Sequence, residues 1–266
     1  MSYSFFLEGT QIAEDLATHL RAFPTSVEST LTVVYHPQAT FQVRPVTRCS
    51  ASMPGHSESV LSVCFSPDGQ ELVTGSGDTT VRFWDLNTQL PKTTAKGHTG
   101  WVMCLAFSPD AKRVVSGGME GAICLWDPTE AGSPLGVCRA HKKAVVALAW
   151  EPAHLAYPVK RFVSGSKDGT VRVWDADRRQ NVFSMSGHTK DVTSVKWGGE
   201  GLVYSGSRDG TIKVWDGKDG RCVRTLQGHG HWVNSLALSS DYVLRTGPFD
   251  HHGRRPEGDA EAQAAA

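Results

Sequence analysis

The chain has 266 residues, 27 basic and 27 acidic side chains, and a formal net charge of zero. That balance removes any global-charge argument for a nucleic-acid or anionic-membrane protein, and 39% apolar residues suffice for a sizeable core in one or two domains. The longest apolar run, Ala144 to Trp150, is too short to cross a bilayer, and neither a signal peptide nor an Asn-x-Ser/Thr sequon is legible. Six cysteines form no Cys-x-x-Cys pair and show no ligand-like spacing with histidine. Cys64, Cys104 and Cys124 sit in strand-like runs as small hydrophobes, a usage that suits a reducing compartment and predicts an intracellular protein, cytoplasmic or nuclear.

In chain order, Ser4 to Gly9 reads as a short strand and turn. Gln11 to Arg21 places Ile12, Leu16 and Leu20 on one helix face. Pro24-Thr25-Ser26 breaks that helix, Thr30 to Tyr35 is rich in β-branched and aromatic residues and predicts a strand, and Pro37 ends it. Phe41 to Val46 is a further strand-like run.

From His56 onward the chain repeats. A Gly-His pair, or Ala140-His141 in its place, puts histidines at 56, 98, 141, 188 and 229, which are 42, 43, 47 and 41 residues apart. The first four are each followed by a Trp-Asp pair, at Trp84, Trp126, Trp174 and Trp215, and the fifth is not. Alternating runs such as Val60 to Phe65, Glu71 to Thr74 and Thr80 to Trp84 predict strands, with Ser-Pro-Asp and Asp-Gly stretches as the turns between them. Glu151 to Pro158 lengthens the third unit, and its two prolines predict a rim loop. Trp232 to Leu238 reads as a fifth first strand, and residues 250–266 as a disordered tail.

A polar set recurs with the same register. His56, Thr74, Asp78 and Trp84 in the first unit correspond to His98, Ser116, Glu120 and Trp126 in the second. His141, Ser164, Asp168 and Trp174 follow in the third, and His188, Ser205, Asp209 and Trp215 in the fourth. A Ser-His-Asp arrangement made once is a catalytic candidate; made four times it is a buried hydrogen-bond network that pins each unit. Glu120 is one methylene longer than Asp, so the second network is expected to stay incomplete. Lys142-Lys143, Arg178-Arg179 and Lys190 are candidates for a local basic patch, against the ordinary alternative of a solvated surface.

A period just above 40 with Gly-His at one end and Trp-Asp at the other is the WD40 signature, and it predicts an all-β propeller. The order of parts is more specific. A β-grasp-like segment, the stretch Tyr35 to Arg48, the Trp150-Glu151-Pro152 insertion and the run Ser239 to Asp250 together resemble the Notchless family. The resemblance implies about four and a half blades of an eight-bladed WD40 β-propeller, preceded by a partial α+β ubiquitin-like segment, with the chain reading as truncated at both ends. The implied divisions are a partial ubiquitin-like segment at 1–40, a connecting strand at 41–54, repeats at 55–96, 97–139, 140–186 and 187–227, an incomplete repeat at 228–249 and the tail at 250–266.

The resemblance further implies a non-enzymatic assembly factor for the large ribosomal subunit, in the nucleus and nucleolus. Its propeller would dock on the pre-60S particle, touching proteins and possibly rRNA, and its ubiquitin-like domain would be gripped by the AAA ATPase midasin. The family's carboxylate that completes midasin's metal-ion-dependent adhesion site falls on Glu28 here, so the chain needs no cofactor of its own and the divalent cation, Mg, comes from the partner. A generic WD40 interaction adaptor, for instance in Notch-type signalling, and a non-functional fragment are the competing readings. No Walker loop, His-Glu-x-x-His motif or unrepeated nucleophile–base pair supports an enzyme.

Overall fold

In the computed structural model the backbone is described for residues 2–7, 10–11 and 33–38, and full detail for residues 49, 52–130, 132–239 and 247. The chain divides into two compact units, residues 1–50 and 51–266.

In the first unit, β1 (Ser2–Leu7) lies between β2 (Thr10–Gln11) and β3 (Val33–Gln38) in an antiparallel sheet. The strand expected to end before Pro37 instead runs through it, with Pro37 opposite Tyr3. Among the described residues β3 pairs only with β1, and an edge strand tolerates a residue that lacks an N–H donor. Gln11 closes β2 rather than opening a helix; the rest of the expected helix, Glu28, the run Phe41 to Val46 and the tail 250–266 lie outside the described residues.

The second unit is built from four antiparallel four-stranded sheets, each a meander of consecutive strands. Blade 1 comprises β4 (Val60–Phe65), β5 (Glu71–Ser76), β6 (Thr80–Asp85) and β7 (Pro91–Lys96). Blade 2 comprises β8 (Val102–Phe107), β9 (Val114–Gly118), β10 (Ala122–Trp126) and β11 (Gly136–Arg139). Blade 3 comprises β12 (Val145–Trp150), β13 (Arg161–Ser166), β14 (Thr170–Asp175) and β15 (Gln180–Ser186). Blade 4 comprises β16 (Val192–Trp197), β17 (Leu202–Ser207), β18 (Ile212–Asp216) and β19 (Cys222–Leu226). First strands of successive blades are neighbours, which makes the unit part of a β-propeller.

Alternation along these strands puts apolar side chains on both faces, so the core lies between blades. Val73, Val81 and Phe83 of blade 1 pack on Val102, Val114 and Trp126 of blade 2. Val163, Val171 and Val173 of blade 3 meet Val192, Val195 and Trp197 of blade 4 in the same way. The approach is close because each second strand carries a glycine where the next blade presses in. A Cβ on Gly75 would lie 2.6 Å from Val102, one on Gly117 2.7 Å from Val145, and one on Gly165 2.5 Å from Val195. Burial raises the Cys104 and Cys124 thiols to about 12 and Cys138 to about 11, as expected of thiols packed as small hydrophobes.

Two expectations change. Trp232 to Leu238 forms no strand, although Val233 is buried and its amide donates to Ser207 O at 3.1 Å. Val233 fills the space beside Gly206 that Val102 fills beside Gly75, while no second strand among the described residues pairs with the segment. The third-unit insertion is the loop that its prolines predict, but its first residues are buried and not at the surface. Glu151, Pro152 and Ala153 are buried, Glu151 holds Arg161 through both carboxylate oxygens, and His154 Nε2 reaches Gly199 O of blade 4 at 2.7 Å. On its other side Lys112 of blade 2 lies over the Tyr157 ring at 5.9 Å. Prolines set only its local backbone; the two neighbouring blades decide its burial.

Candidate interaction face

In every blade the loop before the first strand carries the histidine and the turn between second and third strands carries the carboxylate. In blade 3, Trp174 Nε1 donates to Ser164 Oγ at 2.7 Å, Ser164 Oγ meets His141 Nε2 at 2.7 Å, and His141 Nδ1 meets Asp168 Oδ2 at 2.9 Å. With the proton on Nδ1, each donor finds an acceptor along the chain: indole to hydroxyl, hydroxyl to imidazole, imidazole to carboxylate. His56, Thr74, Asp78 and Trp84 repeat the arrangement at 2.7–2.8 Å. His188, Ser205, Asp209 and Trp215 repeat it at 2.8–2.9 Å.

The electrostatics agree with a neutral ring. Burial pushes the His141 and His188 imidazoles below their ordinary value, against the opposing pull of Asp168 and Asp209. Burial acts to raise Asp168, yet bonds from the Thr170 hydroxyl and amide, His141 and the Lys142 amide outweigh it and hold the carboxyl at about 2. Asp78 and Asp209 lie well below the usual carboxylate range for the same reasons.

Blade 2 corrects the expectation for Glu120. Its Oε1 lies 2.7 Å from His98 Nδ1, His98 Nε2 lies 2.6 Å from Ser116 Oγ, and Trp126 donates to Ser116 at 2.7 Å, so the circuit closes. Space for the extra methylene comes from Gly118, where the other blades have Ser76, Ser166 and Ser207. A Cβ there would stand 2.2 Å from Glu120 Oε2 and 2.5 Å from His98 Nδ1. Ala122 likewise replaces Thr80, Thr170 and Thr211, whose hydroxyls donate to the aspartates at 2.6 Å. Comparing the four units position by position carries this signal; counting methylenes in Glu120 alone does not.

These networks are structural. Ser116, Ser164 and Ser205 are fully buried, and each accepts the indole proton while bonding the histidine of its own blade. Among the described residues no cluster of His, Cys, Asp and Glu is arranged to hold a metal. Glu28 lies outside the described residues.

What the tetrads do is fix one end of the propeller as a continuous face. In each blade the carboxylate turn bonds to the histidine loop: Gly77 N to Ser59 O, Met119 N to Trp101 O, Lys167 N to Ala144 O and Arg208 N to Asp191 O, all at 2.9–3.0 Å. Trp101 and Met119 project from it at 52% and 54% exposure, and Trp232 at 46%. The suggested basic patch divides: Lys142, Lys143 and Lys190 belong to this face, whereas Arg178 and Arg179 sit in the turn between the third and fourth strands of blade 3, at the other end.

The WD domain, G-beta repeat family matches residues 47–85, 89–127, 132–175, 179–216 and 220–247. The second to fourth matches each open on the outermost strand of one blade and continue into the next, as 89–127 takes in β7 and then β8 to β10. The chain is 50% identical to Protein Notchless of Drosophila melanogaster over 250 residues, 93% of this chain and 51% of that protein. Against the Notchless protein homolog of Arabidopsis thaliana it is 51% identical over 208 residues, 77% of this chain and 43% of the relative. Ribosome assembly protein 4 of Saccharomyces cerevisiae is 48% identical over 246 residues, 91% and 48% of the two lengths. The chain thus spans about half the length of the curated relatives it matches. With four blades pinned by the same tetrad and five repeats matched along the sequence, this chain belongs to the WD40 repeat family.

Proposed function

We propose that the chain is a non-enzymatic WD40 scaffold in assembly of the large ribosomal subunit, acting in the nucleus and nucleolus. The observation that carries this reading is 48% identity, across 91% of the chain, to a protein named Ribosome assembly protein 4. The propeller docks on the precursor particle and the N-terminal unit engages midasin, Glu28 supplying a carboxylate oxygen to a divalent cation, Mg, held in the partner's adhesion site. A hard cation with one open position accepts such a ligand, and the bond depends on side-chain reach.

The test is sedimentation of the tagged chain through a sucrose gradient of nuclear extract. Co-migration with large-subunit precursors is expected; recovery only in the light fractions overturns the scaffold reading. For the midasin contact, a pull-down of its adhesion domain should be weakened nearly as much by Glu28→Asp as by Glu28→Ala, and by EDTA as well. Unchanged capture by Glu28→Asp removes the metal bridge and leaves the scaffold reading standing. A WD40 adaptor outside ribosome assembly is the second reading, favoured by the exposed Trp101–Met119 pair, whose apolar surface suits a protein partner.

A further inference from the structure

The interaction face carries its charge unevenly. At blades 1 and 2 its loops and turns present Glu58, Asp78 and Glu120 with no lysine or arginine. At blades 3 and 4 they present Lys142, Lys143, Lys167, Lys190 and Arg208. Three carboxylates accompany these cations. Asp168 and Asp209 are turned inward at 8% side-chain exposure with their oxygens occupied by hydrogen bonds, and Asp191 lies 3.4 Å from Arg208. None of the four lysines forms an ion pair among the described residues, and Lys142, Lys143 and Lys190 are exposed.

The cations form one ribbon because successive blades touch at this end. Lys143 O accepts from Ser166 Oγ at 3.1 Å, next to Lys167. A Cβ on Gly169 would lie 3.3 Å from Lys190 O, and one on Gly210 3.1 Å from His229 O. Between Lys167 and Arg208 a cleft of about 180 Å³ opens, lined also by Val146, Asp191, Val192 and Thr193. At the far end the Arg208 guanidinium lies 4.5 Å from the centre of the Trp232 ring, and His231 packs against that ring at 5.0 Å.

We infer that this ribbon is a docking track for the phosphate backbone of single-stranded RNA, with Trp232 as a stacking shelf at its end. Unpaired lysines along a line recognise spaced negative charges, and a half-exposed indole beside a guanidinium offers a flat surface to a base. An acidic peptide would satisfy the lysines but carries no base to lay against the exposed part of the Trp232 indole. The choice of RNA over DNA rests on the ribosome-assembly reading; the track itself rests on the charges and the indole.

The experiment is fluorescence anisotropy of the full chain with a labelled single-stranded RNA 12-mer, the same sequence as DNA, and a polyglutamate peptide. Four lysines neutralising phosphates predict a salt slope of about 3 in magnitude, so affinity should fall by about 50-fold between 50 and 200 mM salt. Lys142→Ala and Lys190→Ala should each reduce that slope by about 0.7, and Trp232→Ala should weaken binding at every salt concentration. Lys218→Ala, at the opposite end, is the control and should leave binding unchanged. These alanine variants remove exposed side chains, and retained melting temperatures confirm that they fold. RNA binding insensitive to the ribbon variants, or polyglutamate binding in preference to RNA, overturns the track. Equal binding of RNA and DNA overturns the choice of RNA alone. Absence of the chain from precursor particles, with RNA binding intact, would count against the scaffold reading and not against the track.

Discussion

Blades 2 and 3 solve the same problem with different residues. Blade 3 uses Ser166, Asp168 and Thr170 around its carboxylate, and blade 2 uses Gly118, Glu120 and Ala122. Asp168 accepts from His141, the Lys142 amide and the Thr170 amide and hydroxyl at 2.6–3.0 Å, whereas Glu120 accepts from His98 at 2.7 Å. The Glu120 side chain is correspondingly more open, at 22% exposure against 8% for Asp168. The circuit from indole to carboxylate is therefore the unit that must be kept, and its residues change together.

Breaking that joint adjustment should have the largest effect. Gly118→Ser forces a Cβ into the space that Glu120 and His98 occupy, and overpacking of this kind costs up to about 3 kcal/mol. Adding Glu120→Asp and Ala122→Thr to it should recover most of the loss in urea unfolding, because neighbouring sites of one network are non-additive. A triple variant as unstable as Gly118→Ser alone would remove the explanation.

Next in size is removal of the carboxylates themselves. Asp168→Ala leaves buried donors unpaired and should cost about 1–3 kcal/mol, while Glu120→Ala should cost less because water can reach the vacated site. The expected ordering originates here in the number of bonds each carboxylate accepts. Equal losses in chemical denaturation would erase the distinction between the two blades.

Acid should act on blade 3 in two stages. His141 titrates below its ordinary 6.5 in the folded chain, so as the pH falls through 6.5 the unfolded chain binds a proton that the folded chain resists, and stability declines. Asp168 contributes stability that is complete above its ordinary 3.8 and is lost as the pH falls toward about 2. Melting temperature should therefore decrease from pH 7.5 to 4.5 through the His141 stage, and again below pH 3.8 through the Asp168 stage. His141→Gln should be less stable throughout and have a flatter profile; an unchanged slope would assign the pH dependence to other groups.

The smallest effect concerns the turn between second and third strands. Gly121, Gly169 and Gly210 take φ of 80–84° in blades 2 to 4, and blade 1 places Thr79 there at 68°. A β-branched residue is strained in that region, so Thr79→Gly should raise stability by about 0.5–1 kcal/mol despite glycine's larger unfolded-state entropy. Calorimetry showing a lower melting temperature would contradict this.

The sequence made the blades legible because its period is carried by residues with one physical job each: His, hydroxyl, carboxylate and Trp at constant spacing. The four tetrads follow from that recurrence, as does the burial of Cys104 and Cys124 in strands. What stayed hidden depends on neighbours distant in sequence. Glu120 fits because of a side chain that Gly118 lacks, and Gly75, Gly117 and Gly165 are required by valines of the next blade. Trp232 to Leu238 has the alternation of a strand, but pairing needs a partner, and alternation says nothing of one. The ribbon of cations escaped a search for local charge runs because Lys167 and Arg208 come from turns that the fold brings beside Lys143 and Lys190.

Blade 3 also bears on how the row comes apart. In a series of repeats held only by nearest neighbours, opening spreads one unit at a time from whichever end is weakest. In blade 1, Val60, Val63 and Phe65 of the first strand are about half exposed, so opening can start there. The insertion in blade 3 grips both sides at once, through Tyr157 beneath Lys112 and His154 on Gly199, and Arg113 of blade 2 adds a bond to Asp177 at 2.5 Å. Amide hydrogens of β13 and β14 should therefore exchange only through opening of blades 2 to 4 together, while those of β4 exchange by local fraying. The loop that its two prolines predicted thus acts as the clasp that makes three blades one cooperative unit.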